Sequence, residues 1–152
     1  GYTTIPDLNI FRIQGENDPM EEARNYSGMV NKLLLHKNGI PQFDFFMLGL
    51  GEDGHTASIF PDQISMVNSE KLFEVSRQPK SGQQRITATA KLINNSKQVI
   101  FLVTGKSKAV MAARVIDKGK DYELLPASFI NPNDGELVWM LDEPAAQKLS
   151  NR

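Results

Sequence analysis

Apolar residues along the chain are grouped into short continuous runs. Residues 43–48 (FDFFML) and 98–105 (QVIFLVTG) are the two longest such runs, and this pattern predicts strands that are covered on both faces. Further segments of strand character are residues 9–13, 71–76, 85–90 and 136–141. Aromatic residues within apolar strands usually belong to a core. We therefore expect core positions for Phe43, Phe45, Phe46 and Trp139.

One long helix is predicted between residues 15 and 40, with a signal at each end. Asp18 can cap it, Pro19 suits the first helical position, and Glu21 completes a capping box. Gly39 follows the last expected turn, which places His36 near the carboxyl end of the helix. Apolar residues at helical spacing form one stripe for packing on a sheet: Met20, Ala23, Val30, Leu33 and Leu34.

A second helix is predicted at residues 106–119 and a short one from about Glu143. Strands that alternate with helices predict parallel pairing. We expect a single α/β domain over residues 1–152, with an open, mostly parallel, doubly wound (Rossmann-like) sheet and helices on both faces. In such sheets ligands bind beyond the carboxyl ends of the strands, so the loops at Gly49 and Gly105 are the places to expect chemistry.

Composition and charge narrow the range of functions. The 152 residues carry a net charge of −1, which gives no basic field for a nucleic acid. The chain has no cysteine, and no run approaches the ~18 apolar residues of a membrane helix. Two histidines among scattered carboxylates predict no metal site, and no cofactor is expected. These features predict a cytoplasmic protein and leave the oligomeric state open.

The loop at residues 49–54 spells G-x-G-x-x-G directly after a predicted strand, as in dinucleotide-binding loops. Pro61 limits any helix after Gly54 to a turn or two. Glu52 and Asp53 also place two carboxylates where a diphosphate would lie. The pattern therefore argues against a dinucleotide site.

The same loop can instead hold His55 as a general base, with the first turn of a helix beside it. Asp53 could orient the imidazole or contact a polar substrate. The backbone N–H groups of Gly51 and Gly54 could stabilise an oxyanion, or these glycines could serve the loop conformation alone. A lone loop histidine is also compatible with a helix cap or a plain surface position.

Three segments together resemble the 6-phosphogluconolactonases: residues 48–61 (LGLGEDGHTASIFP), 85–109 (RITATAKLINNSKQVIFLVTGKSKA) and 124–146 (LLPASFINPNDGELVWMLDEPAA). The resemblance implies hydrolysis of a sugar-phosphate lactone in the oxidative pentose phosphate pathway, with His55 as the base. It also implies that Lys108 faces the substrate phosphate, with Lys106 as a competitor in the same turn. Arg85 either approaches the phosphate or pairs with a carboxylate across strands.

The resemblance leaves two further alternatives open. Family members carry an earlier segment with a Ser-Gly-Gly-x-Thr-Pro phosphate loop, which is not in this sequence, so the resemblance implies a fragment lacking the amino-terminal part. A fragment could be non-catalytic. The related glucosamine-6-phosphate deaminases have a glutamate where this chain has Phe60, and that difference favours a lactonase over a deaminase.

Overall fold

The computed structural model describes residues 4–150. Its strands are β1 (His36–Lys37), β2 (Ile40–Pro41), β3 (Phe45–Leu48), β4 (Phe73–Arg77), β5 (Gln84–Ala88), β6 (Gln98–Val103) and β7 (Glu136–Leu141). Its α-helices are α1 (Pro19–Leu33), α2 (Ala90–Ile93), α3 (Ala109–Ile116) and α4 (Glu143–Ala146). None of these helices has the length and apolar character that crossing a bilayer requires.

A parallel sheet of three strands, in the order β3-β6-β7, organises the α/β fold. The central strand β6 is the most deeply buried, and Phe101 is fully shielded from solvent. Its ring stacks on that of Trp139 in β7, with the ring centroids 4.0 Å apart. The predicted parallel pairing of these three apolar runs is confirmed, as is the core position of Trp139.

One face of this sheet remains open to solvent. Side chains alternate between the two faces of a strand, and the register aligns Leu102 with Met140 on one of them. Phe45, Met47, Leu102 and Met140 are each between 45% and 59% exposed on that face. We call these four residues the open face. The prediction that residues 43–48 are covered on both faces is therefore wrong for the described chain, in which β3 is an edge strand.

Residues 71–90 and 9–13 also differ from the prediction. Strands β4 and β5 pair with each other as an antiparallel hairpin, outside the parallel sheet. Residues 9–13 form no strand, because the described chain places no partner strand beside them. They are fastened to α1 instead: the Tyr26 hydroxyl donates to the carbonyl of Phe11, and the Gln14 N–H donates to Glu22.

Helix α1 begins as predicted, since the Glu21 N–H donates to the Asp18 carboxylate at 2.9 Å. It ends at Leu33, several residues before the predicted end at Gly39. Strands β1 and β2 form a small hairpin there, and Asn38 and Gly39 turn it with positive φ. His36 therefore lies in β1 and not at a helix end; its Nε2 is 3.0 Å from Asn31 Oδ1.

The predicted second helix is confirmed, although its first turn is tighter than expected. Residues Lys106–Lys108 form a 3₁₀ turn, and α3 follows directly. The Gly119 N–H donates back to the carbonyl of Arg114 and closes the segment. Helix α4 begins at Glu143 as predicted. The carboxyl ends of β6 and β7 therefore both lead into helical turns at the same edge of the sheet.

Candidate active site

The glycine loop after β3 is irregular throughout. We call residues 49–60 the His55 loop. No helix forms between Gly54 and Phe60, and the next helical segment is the 3₁₀ stretch Pro61–Asn68. The helix that a dinucleotide-binding loop requires is thus absent, in line with the effect expected of Pro61. The expected helical turn beside His55 is absent as well.

Hydrogen bonds fix the path of the His55 loop. The buried Thr56 hydroxyl donates to the carbonyl of Gly49 at 2.9 Å, which joins the start of the loop to its middle. The Ser58 N–H donates to the Thr87 hydroxyl of β5 at 3.0 Å. On the other side, the Ala127 N–H donates to the carbonyl of Gly54 at 3.1 Å. One hydrogen bond inside the loop and two from other parts of the chain therefore hold it in one shape.

The two inner glycines have a conformational role. A Cβ on Gly51 would overlap the His55 ring and lie 2.5 Å from Asp53 Oδ1. Gly54 has φ +86, and a Cβ there would approach Leu125 to 2.7 Å. Their N–H groups donate within the loop, from Gly51 to the His55 carbonyl and from Gly54 to the Gly51 carbonyl. These bonds do not support the oxyanion role, because neither N–H is free in this conformation.

Asp53 and His55 form a hydrogen-bonded pair, as one of the two sequence alternatives anticipated. Imidazole Nδ1 lies 2.6 Å from Asp53 Oδ1, and the His55 N–H donates to the same oxygen at 3.1 Å. Burial alone favours the neutral carboxyl, but the hydrogen bonds from His55 outweigh it and hold the pKa of Asp53 below its usual value. With Nδ1 donating to a carboxylate, the lone pair of the neutral ring lies on Nε2, where it can accept a proton.

Phe60 supplies an apolar wall behind the imidazole. Its ring is 2% exposed, and its centroid lies 4.8 Å from that of His55. The sequence resemblance matches this position to a glutamate of the related deaminases. An apolar ring can neither donate nor accept a proton. The base of the described site is therefore His55, paired with Asp53, and position 60 supplies no second carboxylate.

His55 and Lys108 line the same cleft, which has a volume of about 670 Å³. The carboxyl end of β3, the start of the His55 loop, Ser58 and Thr87 also line this cleft. Phe45 and Met47 of the open face continue its surface. The structure thus brings the predicted base and the predicted phosphate ligand together at the carboxyl edge of the sheet.

The other two basic candidates lie apart from this cleft. Lys106 precedes Lys108 in the same turn but is not among the residues that line the cleft. Arg85 is exposed on β5, where its cross-strand neighbour is Ser76 and not a carboxylate. Pairing of Arg85 with a carboxylate is not seen within residues 4–150, and its approach to the phosphate stays a prediction. Among the same residues, no three acidic or histidine side chains converge as metal ligands would.

Sequence reasoning missed the residues that hold the site in place. Thr87 and Ala127 anchor the His55 loop from positions that are distant in sequence. Asp142 accepts the Gly105 N–H and so contacts the turn that carries Lys108. The one signal available for Asp142 was its place directly after a predicted strand, where polar groups often meet a ligand or a neighbouring loop.

The Thr56 hydroxyl leads to a stability prediction. Thr56→Val keeps the shape of the side chain but removes the buried hydroxyl that donates to the carbonyl of Gly49. We expect the free energy of unfolding to fall by about 0.5–1.5 kcal/mol, the usual net contribution of one hydrogen bond. Chemical denaturation measures it. Thr104→Val at an exposed position is the matched control, and an equal loss in both variants would contradict the role of the hydroxyl.

Comparisons with known proteins identify the family of the chain. A family model described as glucosamine-6-phosphate isomerases/6-phosphogluconolactonase matches residues 2–139. The chain is 39% identical over 148 residues to the 6-phosphogluconolactonase of Haemophilus influenzae, and 36% identical over 147 residues to that of Homo sapiens. These matches cover 97% and 96% of this chain but 62% and 56% of the two relatives. The chain therefore spans about 60% of their length.

Solved structures give the same result. A crystal structure described as that of devB protein matches with a TM-score of 0.90 at 37% identity, over 97% of this chain and 61% of that chain. The 6-phosphogluconolactonase from Trypanosoma brucei matches with a TM-score of 0.80 at 27% identity, over 96% and 63% of the two chains. The chain belongs to the family of glucosamine-6-phosphate isomerases and 6-phosphogluconolactonases.

Proposed function

We propose that the protein hydrolyses 6-phosphogluconolactone to 6-phosphogluconate, the reaction for which its curated relatives are named. The observation that carries this proposal is the Asp53–His55 pair, joined at 2.6 Å, whose imidazole lines the same cleft as Lys108. A lactonase needs one base and a site for a phosphate group. In this proposal the Asp53–His55 pair supplies the base, and Lys108 supplies the site for the phosphate group.

In the proposed reaction, Nε2 of His55 takes a proton from a water molecule as its oxygen attacks the lactone carbonyl. The bond between the carbonyl carbon and the ring oxygen then breaks. The ring oxygen leaves as a hydroxyl group, with the proton that His55 accepted, and the carbonyl carbon becomes the acid. Asp53 holds the imidazole in the required tautomer throughout, and Lys108 pairs with the phosphate at the other end of the substrate.

We propose further that the parallel sheet is part of a doubly wound sheet in the complete fold. Parallel sheets are normally covered on both faces, whereas the open face exposes four large apolar side chains. The relatives contain an additional stretch of chain that this one does not match. A segment of that kind would cover the open face and complete the cleft, whose surface runs onto Phe45 and Met47. A cytoplasmic location and the absence of a nucleic-acid partner remain predictions from the sequence.

A lactonase assay with 6-phosphogluconolactone tests the proposed activity. Acid release is followed in a pH-stat against the spontaneous rate, for the 152 residues alone and for the same chain co-expressed with the unmatched segment of the Haemophilus influenzae relative. We call the second preparation the complemented chain. We expect it to accelerate hydrolysis. No acceleration in either preparation would refute the proposed function, and acceleration by the isolated chain would refute the need for a further segment.

The same preparations are then given glucosamine 6-phosphate, and ammonia release is measured. We expect none above background, because Phe60 places an apolar ring where a deaminase has a carboxylate. Ammonia release at a rate comparable to lactone hydrolysis would favour a deaminase over a lactonase.

A further inference from the structure

The carboxylate of Asp142 joins the ends of β6 and β7. These two strands are parallel neighbours, so Val103 and Leu141 lie side by side at the carboxyl edge of the sheet. Asp142 comes next after β7, and its N–H donates to the carbonyl of Val103. Its side chain therefore starts beside the loop that leaves β6, which is the loop that leads to Lys108.

Both carboxylate oxygens of Asp142 bind that loop. The Gly105 N–H lies 3.0 Å from one oxygen and 2.9 Å from the other. The first oxygen also accepts the Ala145 N–H at 2.9 Å and so caps α4. A partly buried, negatively charged acceptor makes shorter and stronger hydrogen bonds than a neutral one. One side chain thus fixes the glycine of the loop and the first turn of a helix together.

Gly105 is a point at which the loop needs such an anchor. Its φ of +94 and ψ of 145 lie in a region that only glycine adopts readily, and glycine loses more freedom on ordering than any other residue. The Lys108 N–H donates to the Gly105 carbonyl at 3.1 Å and closes the turn. We call residues 105–108 the Lys108 turn. Asp142 fixes one end of this turn, and Lys108 extends from the other end into the cleft.

We infer that Asp142 is a positioning residue that acts through Gly105 to direct Lys108 towards the substrate. The inference rests on the proposed function, in which Lys108 binds the phosphate group. Asp142 touches neither the cleft nor His55 in the structure, so it affects binding of the phosphate end and leaves the chemical step alone. Asp142 binds Gly105 and caps α4 through different hydrogen bonds, so a substitution can remove the first role and keep the second.

Asp142→Ser separates the two roles. Serine caps helices about as well as aspartate, but its shorter, uncharged side chain cannot hold the Gly105 N–H as well. In the complemented chain we expect KM for the lactone to rise about tenfold, within the range of coupling between contacting residues, while kcat changes less than about twofold. Asp142→Asn, which keeps one oxygen acceptor, should restore part of the lost affinity. Glu143→Gln, which removes the neighbouring exposed carboxylate, should leave KM unchanged.

A double-substitution cycle decides whether Asp142 acts through the lysine. Lys108→Ala alone should raise KM roughly tenfold to hundredfold, since it removes a charge-assisted contact. If Asp142 acts by positioning Lys108, adding Asp142→Ser to Lys108→Ala raises KM no further. The inference would be overturned by fully additive increases in KM, or by an Asp142→Ser variant with unchanged KM. A purely structural role of Asp142 would lower stability but would not couple its effect on KM to that of Lys108.

Failure of the proposed function is recognised separately. If the unsubstituted chain does not accelerate lactone hydrolysis, nuclear magnetic resonance of the 152 residues replaces kinetics, with inorganic phosphate as the probe. We expect phosphate to shift the amide signals of the Lys108 turn, and Asp142→Ser to weaken this binding several-fold. Absence of any shift in the unsubstituted chain, or equal binding by the variant, would overturn the positioning role as well.

Discussion

The His55→Asn variant of the complemented chain should hydrolyse 6-phosphogluconolactone about 10²–10⁴-fold more slowly, the usual contribution of a positioned base. Asparagine can still fill the space beside Asp53, but its amide nitrogen cannot take a proton from water. KM should change little, because the substrate phosphate binds to Lys108 in our proposal. Stability should be retained, since the His55 side chain is 31% exposed and its removal empties no core position.

Substitution of the second histidine tests whether the loss of rate belongs to the site. The control is His36→Asn, which removes the other histidine of the sequence from β1, outside the cleft. A His55→Asn variant with the unsubstituted rate would refute the assignment of the base.

Local sequence signals were sufficient for several parts of this structure. The parallel strands β3, β6 and β7 follow from continuous apolar runs, and the start of α1 follows from Asp18 and Pro19. The lack of a long helix after Gly54 could also be predicted, because Pro61 follows within a few residues and interrupts a helix there. In each case the residues that decide the conformation are close together in sequence, so the pattern contains the physical cause.

Apart from the end of α1, the missed features depend on contacts between separate segments of the chain. Propensity identified β4 and β5 as strands, but it could not identify each as the partner of the other. The apolar stripe of α1 continues through Leu34, yet the helix ends at Leu33, since Asn38 and Gly39 turn the chain back as a hairpin. Asp142 meets Gly105 across 37 positions of sequence, so only the pairing of β6 with β7 brings them together.

The substitution Gly51→Ala should reduce turnover almost as far as His55→Asn does, although it alters neither member of the pair. An added Cβ would occupy the space of the His55 ring and lie 2.5 Å from Asp53 Oδ1, so the 2.6 Å contact between the two side chains could not persist. Without that contact, no carboxylate holds the tautomer with the lone pair on Nε2. Both side chains are partly exposed and can turn outward, which should keep the free energy of unfolding within roughly 1 kcal/mol.

Gly49→Ala is the matched control for this loop, because a Cβ there meets no atom within 4 Å. Turnover and thermal unfolding are measured for both variants in the complemented chain. If Gly51→Ala lowers turnover while Gly49→Ala does not, the glycine is required by the close approach of Asp53 and His55. Unchanged turnover in Gly51→Ala would mean that the pair forms differently during catalysis. An inactive but unfolded variant would show instead that the loop supports the fold, since a displaced pair alone leaves the core intact.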